Sequence, residues 1–105
     1  MPRKQLNGRA IEVTDEGFLV NPSEWSEDLA PLLAKEIGID NLTDAHWKVI
    51  RFMRSDFEAK GQIPSIRRMK NEGGIPTKEL YELFPEGPAK KAAYVSGLGK
   101  PQGCV

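Results

Sequence analysis

The chain has 105 residues, 39% of them hydrophobic and 29% charged, with zero formal net charge. That length and balance fit one ordinary globular domain with a modest core and argue against disorder. No run reaches the apolar length of a membrane span, and "MPRKQLNGRA" lacks the apolar stretch of a secretory leader, so the expected location is the cytoplasm. One cysteine and one histidine cannot make an internal disulfide or a zinc site, and neither a metal nor another cofactor is expected.

The neutrality is uneven. Residues 1–46 carry four Lys/Arg against nine acids, whereas residues 47–78 carry eight against three. A cationic middle suits an anionic partner, and it equally suits two halves of the chain that simply face each other as solvated charge.

In chain order, "QLNGRAIEV" puts Asn7-Gly8 between apolar-alternating flanks and predicts a hairpin, because both central turn positions favour positive φ. A second turn at Asp15-Glu16-Gly17 leads into Phe18-Leu19-Val20. Strands this short must pack on helices. From Pro22 the period becomes helical: Trp25, Leu29, Leu32, Leu33 and Ile37 form one apolar face ending at Gly38, with Pro31 bending it or marking a second start. "NLTDAHWKVIRFMRSDFEAKG" is the clearest helix, capped by Thr43, stopped by Gly61, with Trp47, Ile50, Met53 or Arg54, and Phe57 on one stripe. Ser65 caps a short cationic helix closed by Gly73-Gly74. Thr77 caps the next, with Leu80, Tyr81, Leu83 and Phe84 facing inward. Pro88 opens the last helix, which Gly97 stops. The tail from Leu98 shows no packing pattern. The predicted fold is mainly α: a small helical bundle, helix-turn-helix-like, with an N-terminal β-hairpin and a flexible C-terminal arm. Residues 1–97 form a single domain (1–21 the hairpin region, 22–97 the bundle) and 98–105 the arm.

Three places invite chemistry. Cys104, the only thiol, is the next-to-last residue of "SGLGKPQGCV". Free cysteine is usually buried, so a lone thiol at a terminus is either a chance residue on a frayed end or the reason for the arm. The arm suits delivery: Gly97, Gly99 and Gly103 add no bulk, Leu98 and Lys100 lie between them, and Pro101 stiffens the middle. Thiolate is the reactive form, with an ordinary pKa of about 8.5. The neighbouring terminal carboxylate opposes it more closely than Lys100 favours it. Such a thiol is a carrier activated by its partners, not a self-sufficient catalyst.

The second place is "KGQIPSIRRMKNEGG". A helix stop, a Pro64 turn and a cationic helix bearing Arg67, Arg68 and Lys70 have the outline of a helix-turn-helix reader, and weak nucleic-acid binding follows from that reading. Any two packed helices with surface arginines share this outline, so a solvated or protein-docking face is the alternative. The third is His46, which lacks an acid and a nucleophile as companions and reads as structural, as do Trp25, Trp47, Phe52 and Phe57.

Five blocks, "GFLVNPSEWSEDLAPLLAKEIGI", "LTDAHWKVIRFMR", "IPSIRRM", "LYELFPEGPAKKA" and "GLGKPQGCV", together resemble the DsrC/TusE family, in family order and over nearly the whole chain. The resemblance implies a helical fold with an N-terminal hairpin and a mobile arm whose penultimate cysteine carries sulfur as a persulfide. By that match Cys104 bears the sulfur and residues 97–103 deliver it. Family members that serve dissimilatory sulfite reductase have a second cysteine upstream with ten residues in between, a position occupied here by Ala93. The single-cysteine pattern resembles the TusE branch, which takes a persulfide from a sulfur-relay complex and passes it toward a tRNA thiolase. The resemblance thus implies sulfur-donor and sulfur-acceptor proteins as partners, with the gamma-subunit role beside sulfite reductase as the other branch. Gly99 departs from the family, which usually has proline there, and the stretch before "LYELF" is short.

Overall fold

A computed structural model describes residues 2–99. The hairpin forms where Asn7-Gly8 predicts it. Strand β1 (Arg3–Leu6) pairs antiparallel with β2 (Arg9–Glu12), Arg3 opposite Glu12 and Leu6 opposite Arg9. Asn7 and Gly8 take φ of 51° and 79°, the left-handed pair a two-residue turn needs. The second turn also forms, with Gly17 N–H donating to Thr14 O (2.9 Å) and Thr14 N–H to Phe18 O (2.7 Å). A third strand shrinks to one bridge, Val13 to Leu19.

Five α-helices follow among the described residues: α1 (Leu29–Glu36), α2 (Asp44–Lys60), α3 (Ile66–Asn71), α4 (Thr77–Leu83) and α5 (Pro88–Val95). The sequence period extends the first helix back to Trp25, but α1 begins at Leu29. Pro22–Glu24 make a separate 3₁₀ turn, and Trp25 leaves it with extended backbone (φ −74°, ψ 145°). Pro31 accounts for the late start. It has no N–H to donate, so it fits only in a first turn, where that N–H has no intrahelical partner.

Helix α2 is fastened at both ends. Thr43 Oγ1 accepts from His46 N–H (3.4 Å), Thr43 N–H donates to His46 Nδ1 (3.1 Å), and Gly61 closes the helix at φ 72°. With Nδ1 accepting, His46 Nε2–H donates to Leu83 O at 3.1 Å, and the ring meets Phe84 edge-on. His46 is therefore a structural joint between α2 and α4. Two expectations on α4 are corrected. Its N-cap is Pro76, with Thr77 already helical, because extended Pro76 (φ −60°, ψ 144°) starts the helix without a side-chain cap. Tyr81 is 50% exposed and points away from the core, which Leu80 and Phe84 fill on that side.

The core has two lobes. One gathers Val49, Ile50 and Met53 of α2 with Met69, Leu80, Phe84, Ala92 and Val95. The other packs Leu6, Ile11, Phe18 and Leu19 of the hairpin region on Leu29, Leu33 and Tyr94. Helix α5 belongs to both, so its C-terminal end is held from two sides. No helix among the described residues is long and apolar enough to cross a membrane.

Candidate functional site: the root of the C-terminal tail

Cys104 lies outside the described residues, as do Lys100, Pro101 and Gly103. What the structure does give is how the chain leaves the domain on its way to that thiol.

Helix α5 ends in a reciprocal pair of backbone bonds. Leu98 N–H donates to Ala93 O (3.0 Å) and Gly97 N–H to Tyr94 O (3.3 Å), with Gly97 left-handed at φ 72°. This is the Schellman arrangement, which glycine favours because a Cβ is costly at that φ. Leu98 is 1% exposed and packs in the same core cluster as Ala93. The expectation that nothing from Leu98 onward packs is thereby corrected: the apolar contact that accompanies this turn draws Leu98 inward. Gly99 is the first half-buried residue after it.

The turn is then gripped from outside. Trp25 Nε1–H donates to Val95 O at 2.9 Å, and Arg54 Nη1–H donates to Ser96 O at 2.8 Å. These carbonyls belong to the helix end, where no intrahelical donor remains. The same guanidinium donates through Nη2–H to Pro22 O (3.1 Å) and stacks 4.3 Å above the Trp25 ring. A Cβ on Gly97 would lie 2.3–2.5 Å from Trp25 Cβ, Cγ and Cδ1, so backbone and indole are in direct contact. Burial pulls the Arg54 pKa down against a smaller upward pull from Glu58. Its guanidinium nonetheless remains cationic at the negative end of the α5 dipole, a favourable place. Ser96 is fully buried, and its hydroxyl meets no hydrogen-bond partner among the described residues.

A polar triad ties the hairpin to the same helix. Lys4 Nζ donates to Glu36 Oε1 (2.6 Å) and Tyr94 OH (2.7 Å), and Tyr94 OH donates to Glu36 Oε1 (2.5 Å). Burial opposes the Lys4 charge, but the bonds to Glu36 and Tyr94 outweigh it and raise the pKa. Burial, and then the bond to Glu36, raise that of Tyr94.

With this geometry in place, the comparisons bear on it. The family model for DsrC-like proteins matches residues 5–105. The chain belongs to the DsrC-like family. It is 40% identical over 108 residues to sulfurtransferase TusE of Yersinia pseudotuberculosis serotype I, covering 96% of this chain and 99% of that one. It is 36% identical over 105 residues to the gamma subunit of the dissimilatory-type sulfite reductase of Nitratidesulfovibrio vulgaris, covering all of both. A crystal structure of dissimilatory sulfite reductase I (DsrI) superposes with a TM-score of 0.88 at 35% identity, covering 99% of this chain and 100% of that one. In this DsrC-like chain the hairpin-and-bundle fold read from the sequence is therefore shown.

The remaining predicted residues separate. Arg67 and Lys70 are exposed on α3. Arg68 is paired within the chain: Nε and Nη2 grip both carboxylate oxygens of buried Asp56 at 3.0 and 2.5 Å, while its side chain stays 38% exposed. A buried carboxylate needs a cation beside it, so Arg68 has a structural partner that Arg67 and Lys70 are not shown to have. The bond to Asp56 is also what raises the Arg68 pKa. Sequence reasoning missed Trp25 and Arg54 as companions of the tail. The one available signal was an arginine lying on the apolar stripe of α2.

Proposed function

We infer that this chain is a sulfur carrier that holds a persulfide on Cys104 and exchanges it with partner proteins. The observation that carries the reading is the position of the only thiol, six residues past a turn anchored in the core. Covalent geometry limits that tether to about 20 Å, at roughly 3.5 Å per residue. The thiol can reach into a partner while the domain stays outside.

Loading is an exchange. The Cys104 thiolate attacks the outer sulfur of a donor persulfide and a new S–S bond forms to Sγ. The donor's own S–S bond breaks, and its thiolate leaves with the electron pair and takes up a proton. One thiol and one persulfide give one persulfide and one thiol, with no net oxidation. Discharge repeats the exchange with an acceptor. Thiolate is the reactive form, and a partner's cationic or N–H groups favour it at Cys104. The reducing cytoplasm, where free thiols persist, is the fitting compartment.

The TusE-like relay toward tRNA thiolation is the branch favoured here, because Ala93 occupies the position of a second cysteine. The gamma-subunit role beside dissimilatory sulfite reductase is the second reading, supported by end-to-end similarity to such a subunit. The nucleic-acid reading gains no support from the relatives. The deciding experiment is intact mass after incubation with a persulfidated donor. Wild type should gain one sulfur atom, removable by reductant, and Cys104→Ala should gain none. An unchanged wild-type mass, with a control acceptor loaded in parallel, refutes the carrier reading.

A further inference from the structure

The Schellman turn already satisfies the N–H groups of Gly97 and Leu98 within the chain's own backbone, and most helices end with nothing more. Here two side chains from distant elements add a second layer. Trp25 lies 70 residues and Arg54 42 residues from the carbonyls they hold. Each contact acts on residues 95–97: one N–H on Val95 O, one guanidinium arm on Ser96 O, and the indole face against Gly97. The other guanidinium arm, on Pro22 O, ties the turn that carries Trp25 to the same cation. Arg54 is partly buried and desolvated on the apolar stripe of α2, and an apolar side chain there would leave Ser96 O and Pro22 O without this donor.

We propose that Trp25 and Arg54 are positioning residues for sulfur transfer: together they fix the direction in which the chain leaves the domain at Leu98, and so aim Cys104. This rests on the sulfur-carrier reading. Only five residues lie between Leu98 and Cys104, so the take-off direction governs which part of a partner the thiol can reach. A preset direction also spares part of the ordering that docking would otherwise require. Neither residue touches the reacting sulfur.

The test uses the full chain, whose single thiol accepts one nitroxide label at Cys104. Paramagnetic broadening of backbone amide signals then maps the region swept by the tail. Trp25→Phe keeps a ring beside Gly97 and removes the donor to Val95 O. Arg54→Gln removes the charge and one of the two carbonyl bonds, and Arg54→Lys restores charge without the fork. In Trp25→Phe and Arg54→Gln the broadening should spread to amides unaffected in wild type, and exchange of the Gly97 and Leu98 amides should accelerate about tenfold, the loss of roughly one hydrogen bond. Arg54→Lys should fall between wild type and Arg54→Gln.

A purely structural role would lower Tm and leave the broadening map as in wild type, and that result overturns the proposal. If a variant fails to fold, relaxation of the wild-type chain decides. Gly97 and Leu98 amides as rigid as those of α5 support the clamp, and amides as mobile as a frayed end refute it. Loading with inorganic polysulfide, read by mass, separates the two claims. No sulfur gained by wild type, with a broadening map that still responds, would fault the carrier reading alone. Normal loading with an unresponsive map would fault the positioning alone.

Discussion

Gly97→Ala is the sharpest perturbation of the tail root. The new methyl would have to occupy left-handed backbone at φ 72° and stand 2.3–2.5 Å from three Trp25 atoms. Left-handed backbone costs an L-residue roughly 1–2 kcal/mol. Forcing a methyl into occupied space costs typically about 1–3 kcal/mol more, because the indole is held through its N–H and by Arg54. Alanine's stiffer unfolded chain returns about 0.4–1 kcal/mol. The net loss is about 2–4 kcal/mol, and a domain of this size loses about 4–8 °C of Tm per kcal/mol. Gly38→Ala is the internal control: its φ is 89°, yet nothing lies within 4 Å of a Cβ there. It bears the backbone cost alone, about 1 kcal/mol. Thermal unfolding followed by far-UV circular dichroism should place Gly97→Ala at least about 5 °C below Gly38→Ala, on the same scale of about 4–8 °C per kcal/mol. Equal midpoints would mean that the indole does not press on the turn, and the account of the root would fail.

Three further outcomes follow from other contacts. Lys4 and Tyr94 both have pKa values raised by folding, so each adds stability that is whole below its unfolded pKa and lost as pH climbs through the folded one. Urea midpoints should therefore fall above about pH 10, and Tyr94→Phe should flatten that fall; an identical alkaline slope in the variant would contradict the triad. Arg68→Ala should destabilise the chain more than Arg67→Ala, because Arg68 is the residue paired with buried Asp56; matching Tm values would show that the pair does no stabilising. Arg67→Ala should also leave the mass gain at Cys104 unchanged, since α3 holds no part of the tail root, and a lost gain would restore α3 as a docking face.

What the sequence disclosed depended on the range of the interaction. Asn7-Gly8, Thr43, Ser65 and Gly61 signal local geometry, and each sits where its chemistry predicts, because turn and cap preferences are settled within four residues. The first helix was overextended for a related reason. Trp25 fits the apolar period of α1, yet the indole serves the second lobe and the end of α5, and periodicity cannot tell these destinations apart. Leu98 was misread because a single apolar residue makes no pattern. Its burial follows from the Schellman turn, whose apolar contact pairs it with the helix behind it. The grip of Trp25 and Arg54 on residues 95–97 is a matter of tertiary pairing across 70 and 42 residues, which no window along the chain reveals.

Cysteine content constrains the chemistry further than the fold does. With a second thiol on α5, a sulfur held at the tail could be released within the molecule by forming an internal bond. Position 93 instead holds a fully buried methyl, and its carbonyl is occupied by Leu98 N–H. No other cysteine exists in the chain. Any sulfur accepted at Cys104 must therefore leave to a nucleophile on another molecule, and a carrier of this kind cannot discharge itself. Its persulfide should accordingly persist in the isolated, loaded protein and decay in proportion to added thiol, by second-order kinetics. Release at a first-order rate independent of added thiol and of protein concentration would require an internal acceptor that this sequence does not contain, and would remove the basis for treating Cys104 as a handle emptied by partners.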